Sequence, residues 1–349
     1  MNDVTVLMPV YNGAPFIRQA IDSILGQTFR EFKFVIIDDG STDDSARIAE
    51  SYLDPRIRLI RNDQNLGLSR SLNRGLALAR GGLVARQDAD DISSPNRLAR
   101  QAEFLAAHPD ITLVGSAYEE IDTTGRVVSS VTLPCAPDEI RWALFFYCPL
   151  VHGAVTMRKS ALEDLGGYSE NYAYAGDYEL WTRMAPNHRM ANLEDVLVQY
   201  RVSQSSMTST YPAVTTEPQR IGLAALRELT GWEAAGTPSL EQRHRDMQCI
   251  FRTESHNDAP RYPDRARLDI LRLHEMFCGR YAIPEHRCRA LHRDLVFRLW
   301  SNLAHYAVAE SRAGRYIRAV NLIASAVRLR TAEIASGIRV CSGDNRPRS

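Results

Sequence analysis

The feature that most constrains this chain is a repeated unit in its first 110 residues. A short apolar run is followed by a loop of acids, amides and glycine, and then by a stretch of helical periodicity. The apolar runs are residues 4–8 (VTVLM), 32–37 (FKFVII), 57–60 and 83–85. They are short, β-rich and nearly continuous, as strands buried on both faces must be. Between them, residues 16–25, 43–53, 68–78 and 95–107 place apolar side chains at helical spacing. Pro9 is expected to end the first strand, and Pro95 sits where a helix tolerates a missing N–H. Strands alternating with helices through short connections imply an open parallel sheet covered by helices on both faces. In such sheets ligands bind at the carboxyl ends of the strands.

Those strand ends carry the chemistry. After the first come Pro9, Val10, Tyr11, Asn12 and Gly13. After the second come Asp38, Asp39, Gly40, Ser41, Thr42 and Asp43. Asn62, Asp63, Asn65 and Gly67 follow the third, and Asp88, Asp90 and Asp91 the fourth. An acid-lined crevice needs a cation or a hydrogen-bonding ligand to compensate it. Alternate hard oxygen donors in Asp88-x-Asp90 suit Mg²⁺ or Mn²⁺ bridging to substrate phosphates. Helix capping by Asp91, Ser93 or Ser94 explains one acid but not three. For the Asp38–Asp39 pair, turn formation and contact with a nucleobase or ribose both remain open, and Asp43 can cap the next helix. No G-x-G-x-x-G follows the first strand and no G-x-x-x-x-G-K-[ST] occurs anywhere, which argues against a dinucleotide oxidoreductase and a P-loop NTPase.

Composition sharpens the class. The formal charge is zero, so no global field favours nucleic acid. Residues 1–204 hold 20 basic and 27 acidic residues, and residues 205–349 hold 22 and 15. The sign change coincides with the Ser-, Thr- and Pro-rich stretch 203–216, read as a linker. Two domains are expected, 1–204 and 205–349. The six cysteines form no C-x-x-C pair, so neither a zinc site nor a redox dithiol is expected. The first residues show no secretory signal, and the longest uncharged run, 142–157, contains Pro149 and is too short to span a bilayer. A cytoplasmic protein, peripheral to a membrane at most, is expected.

"PVYNGAPFIRQAIDSILGQTF", "IIDDGSTDDS", "NLGLSRSLNRGLALARG" and "DADDISSPNRL", in this order and spacing, resemble family 2 glycosyltransferases. The resemblance continues through "HGAVTMRKSALEDLGGY", "YAGDYELWTRM" and "VQYRV", covering about residues 3–204. It implies the A-type glycosyltransferase fold, an α/β Rossmann-like nucleotide-diphospho-sugar domain, here with a C-terminal helical appendage. It implies that Pro9, Tyr11 and Asn12 line the nucleotide and that Asp39, beside Asp38, contacts the base. Asn65 and Gly67 then shape the pocket wall, which Asn73 supports, and Asp88 lies near the ribose. Asp90 holds the divalent ion, Mn²⁺ or Mg²⁺. Asp177 matches the catalytic base of an inverting enzyme. Read from the residues alone, Asp177 is an N-cap to the helix marked by Leu180, Trp181 and Met184.

Two positions depart from the family pattern. The acid that usually precedes the base is Gly176, with Glu179 expected to point elsewhere. A His that often follows the "YR" is absent where Ser203 stands. His152 either faces the acceptor or is a satisfied structural histidine, and Tyr172 and Tyr174 either stack on a sugar or pack their loop. Residues 111–120 and 126–131 read as strands joined at 123–125, and 154–157 as another. Residues 137–146 read as a helix.

Beyond residue 217 the pattern is helical, with helices over 221–229, 265–277, 287–307 and 316–329. The last two form a hairpin split by Gly314, and a disordered tail follows Cys341. Residues 287–348 hold 12 basic and 4 acidic residues, so this part either rests on anionic lipid or a partner, or is a helical subdomain with a solvated basic face. The resemblance implies an inverting transfer from a nucleotide-diphospho-sugar, UDP-linked by family prevalence, to a polysaccharide or lipid-linked acceptor. The rivals are transfer to polyprenyl phosphate and a non-catalytic sugar-nucleotide-binding scaffold.

Overall fold

The computed structural model describes residues 3–203, 216–233, 239–251, 260–312, 314–315 and 317–326. The expected boundary near 205, the linker around it and the tail after Cys341 fall outside the described residues. The chain divides into two compact units, residues 1–144 with 148–221, and residues 145–147 with 222–349.

The first unit is built on one mixed sheet. Its strands are β1 (Val4–Val10), β2 (Phe32–Asp38), β3 (Ile57–Arg61), β4 (Leu83–Arg86), β5 (Ile92–Ser93), β6 (Ile111–Ile121), β7 (Val127–Val131), β8 (Thr156–Arg158) and β9 (Arg189–Arg201). The order is β3-β2-β1-β4-β8-β6-β9-β5, with β7 paired to β6. Strands β3, β2, β1 and β4 are parallel, β8 runs antiparallel between β4 and β6, and β9 is parallel to β6. Helices α1 (Ile17–Leu25), α2 (Ser45–Glu50), α3 (Leu68–Leu78) and α4 (Arg97–Ala107) are the expected crossovers; α5 (Pro137–Ala143), α6 (Lys159–Asp164) and α7 (Gly176–Met184) follow.

The period-2 geometry of β1 divides the core. Val4, Val6, Met8 and Val10 pack with Ile17, Ile21 and Ile24 of α1 and with Leu98 and Leu105 of α4. Leu7, on the other face, packs with Leu72 of α3 and Trp181 of α7. Gly75 of α3 lets the helix settle on the sheet, since a Cβ there would stand 2.1 Å from Leu7 Cδ1.

Pro9 does not end β1, as expected from sequence, but pairs with Ile37 inside it. The β4 ladder reaches only Leu7, so the missing N–H of Pro9 faces a stretch with no strand partner. Residues 137–146 do not form one helix either. Helix α5 ends at Ala143, and residues 145–147 belong to the second unit. The 122–125 turn joins β6 and β7 as expected, with Asp122 Oδ1 accepting the N–H groups of Thr124 and Arg126. The thirteen-residue β9 has no counterpart among the expected strands.

In the second unit the described elements are helical. Helix α8 (Thr216–Thr230) begins in the first unit; α9 (Leu240–Phe251), α10 (Pro263–Arg280) and α11 (Glu285–Arg312) follow, and residues 317–326 are also helical. Ile270, Leu273, Phe277, Leu299 and Leu303 are among its buried apolar residues. Arg243 lies 4.1 Å over the Trp232 ring and donates to both oxygens of Asp269 at 2.7 and 2.8 Å. His244 Nε2 meets the Phe145 carbonyl at 2.9 Å, and burial lowers its pKa to about 4. No helix of the described residues is long and apolar enough to cross a membrane.

Candidate active site

The loops after β1, β2 and β3 are stitched together by hydrogen bonds. Asn12 adopts φ +52°, a strained choice for a non-glycine residue. Its N–H donates to Ser41 Oγ at 3.0 Å, and its Oδ1 accepts the Thr42 N–H at 2.8 Å. The Gly13 and Ala14 N–H groups donate to Ser45 Oγ and Asp43 Oδ2. Asp43 also accepts the Ser45 N–H at 2.9 Å at the start of α2. Tyr11 stands exposed on this rim.

Asp39 is the hub beneath the rim. Its Oδ1 accepts the Asn62 amide at 2.7 Å and the Leu66 N–H at 2.8 Å, and its Oδ2 accepts the Gly67 N–H at 2.9 Å. Asp38 is buried, takes the Ser41 N–H at 3.3 Å and lies 3.7 Å from Arg61. Asn65 Oδ1 accepts the Gly67 N–H. Gly40 is required here: at φ +72°, its Cβ would stand 2.5 Å from the Gln64 carbonyl carbon. Asn73, from α3, exchanges two 2.8 Å hydrogen bonds with the Tyr168 backbone.

The end of β4 is different. Asp88 is held by Arg86, whose Nη2 donates to its Oδ1 at 2.6 Å. Arg86 is fully buried and also donates to the carbonyls of Leu7 and Gln87 and to His152 Nε2. Arginine only donates, so His152 Nε2 is the acceptor and Nδ1 carries the proton. Burial and the Arg86 charge lower the His152 pKa to about 3, and Nε2 also lies 2.9 Å from the Tyr168 hydroxyl. Thus His152 is a half-buried, neutral support of Arg86. Arg97 of α4 fastens the layer below by donating to the Gly153 and Arg86 carbonyls.

The carboxylates above this support are crowded. A Cβ at Gly153 would stand 2.6 Å from Asp88 Oδ2 and 3.0 Å from Asp91 Oδ2. Asp91 is buried; its Oδ1 accepts the Arg201 N–H at 2.8 Å, and its Oδ2 has no partner. It caps no helix, because α4 starts after Asn96. Burial, Asp88 and Asp90 push the Asp91 carboxyl well above the usual range. Burial and Asp88 raise Asp90 to about 6. Against the burial penalty, the Arg86 charge keeps Asp88 below the usual carboxylate range.

Asp177 belongs to the same field. It is not the N-cap of α7; that position is Ala175, and Asp177 lies inside the first turn with Oδ1 on the Tyr178 N–H at 2.7 Å. Burial, and more weakly the Asp88 charge, raise its carboxyl to about 6. Glu179 points away, paired with Arg183 at 2.8 Å. Gly176 is close-packed, since a Cβ would stand 3.0 Å from Ser69 Oγ. The fold gathers Asp88, Asp90 and Asp91 at the end of β4 and sets Asp177 within the field of Asp88, with Asp39 serving the adjoining loops.

Among the described residues no group of three or more His, Cys, Asp or Glu side chains forms a metal cage. The donor set nevertheless fits a divalent ion shared with a ligand. Asp90 is a hard oxygen donor with a raised pKa, and Asp91 Oδ2 is orphaned beside Asp88. The positive charge of such an ion would relieve both.

Sequence reading passed over Arg86, Arg201 and Tyr168. Arg86 had a signal, a charge in an otherwise apolar buried strand just before the acids. Arg201 sits in the quoted "VQYRV" and reaches back to the Asp90 and Asp122 carbonyls and to Gln19, with Phe16 4.4 Å beneath its guanidinium. Nothing local in the sequence announces those partners.

Known proteins share the sequence pattern and the fold. Residues 5–166 match the Glycosyl transferase family 2 model. The putative glycosyltransferase EpsE of Bacillus subtilis is 36% identical over 209 residues, 58% of this chain and 73% of that protein. The amylovoran biosynthesis glycosyltransferase AmsE of Erwinia amylovora is 32% identical over 203 residues, 56% of this chain and 75% of that protein. Two solved structures share the fold. S. aureus TarS 1–349 in complex with UDP-GlcNAc superposes with a TM-score of 0.56 at 16% identity, covering 99% of this chain and 95% of that one. The mannosyltransferase PcManGT from Pyrobaculum calidifontis, in complex with GDP-Man and Mn²⁺, has a TM-score of 0.52 at 20% identity, with coverage of 95% and 88%. The chain belongs to glycosyltransferase family 2 and has the A-type glycosyltransferase fold with C-terminal helices. It is a transferase, with relatives in polysaccharide biosynthesis.

Proposed function

We propose that this enzyme moves a sugar from a nucleotide-diphospho-sugar, UDP-linked, to a hydroxyl of a growing surface polysaccharide or lipid-linked oligosaccharide, with inversion at C1. The observation that carries the reading is Asp177, a carboxyl raised to about 6 at a helix start in the field of Asp88. Such a group is ionised at neutral pH yet basic enough to take a proton.

In this reading the loops around Tyr11, Asn12, Asp38, Asp39, Asn65 and Gly67 receive the nucleotide, with Asp39 holding their backbone. Asp88, fixed by Arg86, faces the ribose. Asp177 accepts the proton of the acceptor hydroxyl as its oxygen attacks C1 from the side opposite the diphosphate. The C1–O bond breaks and the diphosphate leaves with the electron pair. Asp90 would hold the divalent ion, whose chemistry when bound is to offset the charge developing on the diphosphate. The basic excess of residues 287–348 supports a station against anionic lipid on the inner face of the plasma membrane.

Calorimetric titration with UDP and GDP, with and without Mn²⁺, on the native protein and Asp90→Ala tests this. Mn²⁺-dependent UDP binding lost in Asp90→Ala is expected. Absence of binding to either nucleotide by the folded protein overturns the donor assignment. Binding without turnover on any acceptor would instead favour a sugar-nucleotide-binding scaffold.

A further inference from the structure

The loop that delivers Asp177 is held by a residue outside the family-matched segment. Residues 172–175 precede α7, and Ala175, its N-cap, has no side chain able to cap. The N–H groups of Ala173, Tyr174 and Ala175 all point at one carboxylate, that of Glu217 in the first turn of α8. Oε1 accepts Ala173 at 3.0 Å, and Oε2 accepts Tyr174 at 3.1 Å and Ala175 at 3.0 Å. Three charge-assisted hydrogen bonds from consecutive amides fix that backbone far more tightly than one would. The negative charge also lies at the N-terminal end of α7, where the helix dipole favours it. These bonds overcome the burial penalty and hold the Glu217 carboxyl below its ordinary range.

A second contact comes from the same helix. One turn on, Arg220 lies 5.7 Å from the centre of the Tyr172 ring, and Ile221 joins the core cluster against which Tyr172 packs. Helix α8 therefore grips the loop by its backbone and by its first aromatic residue. No acid stands at position 176, where a side chain would press on Ser69.

We propose that Glu217 is a positioning residue for the transfer reaction: it fixes residues 173–175, and through them the reach of Asp177 to the acceptor hydroxyl. This rests on reading Asp177 as the base. Because the acid is supplied from α8, removing it should slow turnover without touching the nucleotide loops.

The test compares Glu217→Ala, Glu217→Gln and Asp177→Asn with the native full chain. The measurements are amide exchange at residues 173–175, the UDP Kd, and kcat and KM for transfer. Glu217→Ala is expected to speed exchange at those amides and lower kcat by about ten- to a hundredfold. It should leave the UDP Kd within about twofold, since the Glu217 carboxylate holds residues 173–175 and not the loops around Asp39. Glu217→Gln, which keeps one carbonyl oxygen, should fall between, and the acid limb of the kcat profile should move in Glu217→Ala. Unchanged kcat in Glu217→Ala, with Asp177→Asn inactive, overturns the proposal and spares the base assignment. Faster exchange with an unmoved kcat reduces Glu217 to a structural anchor and also overturns it. Full turnover by Asp177→Asn overturns the base assignment itself and the proposal with it.

Discussion

Two groups of carboxylates lie at the strand ends of the first unit, and they are treated oppositely. Asp39 and Asp43 are served by N–H donors: Asp39 has three, and Asp43 binds Ala14 and Ser45. At the end of β4, Asp91 leaves one oxygen without a partner, and burial together with the Asp88 charge pushes the carboxyls of Asp90, Asp91 and, from α7, Asp177 upward. A satisfied carboxylate is mortar, because its charge is spent on holding loops. An unsatisfied one stores unfavourable field that a proton, a cation or a reacting hydroxyl can relieve. The acids that hold the loops and those proposed to work in the pocket thus differ in their surroundings.

The largest effect expected is on the working side. Asp177→Asn should lower kcat by about 10²–10⁴-fold, the usual contribution of a general base. Steady-state transfer assays alongside UDP titration check that binding survives. Retained turnover would point instead to an acceptor already ionised, such as polyprenyl phosphate, for which no base is needed.

On the building side, Asp39→Ala should leave the Leu66 N–H without its acceptor and take one of two acceptors from the Gly67 N–H and the Asn62 amide. Each unpaired buried donor costs about 1–3 kcal/mol, so thermal unfolding should fall by several degrees or more. An unchanged Tm would break the contrast between the two groups.

The pH profile sharpens it further. With Asp177 as the proposed base acting in its carboxylate form, and its carboxyl raised by burial to about 6, kcat is expected to rise with pH through about 6 and then level off. A stopped-assay profile from pH 5 to 8 reads this limb.

The smallest effect is Asp91→Asn. It keeps an acceptor for the Arg201 N–H while removing a buried charge between Asp88 and Asp90. The variant should be as stable as the native protein or more so, by about 1 kcal/mol, in chemical denaturation at neutral pH. A loss of stability would mean that Asp91 belongs with the mortar.

Much of this was legible in the sequence, for reasons particular residues make clear. The runs 4–8 and 32–37 could only be buried parallel strands, and their register carried Asp39 and Asp88 to one edge of the sheet. The turn at 123–125 was legible from Thr123, Thr124 and Gly125, and the structure adds Asp122, whose carboxylate closes it. Pro9 misled because its cost depends on what faces its nitrogen, and that is a property of the neighbouring strand. Helix α5 was read too long because Phe145 and Phe146 continue its apolar pattern yet pack in the other unit, Phe145 on Phe277 and Phe146 on Phe251.

The sequence by itself determined the alternating sheet, the acids at its strand ends and the family, because these depend on short-range periodicity and ordered motifs. Only the tertiary structure decided which acids are satisfied. Asp39 and Asp90 are alike in composition and in their place after a strand. What separates them is that Leu66 and Gly67 turn their N–H groups toward one, while Asp88 and burial confront the other. The acceptor that braces the Asp177 loop lies more than forty residues downstream of it, in Glu217. Hydrogen bonds and burial across such distances are set by how the chain closes on itself, and no local pattern encodes them.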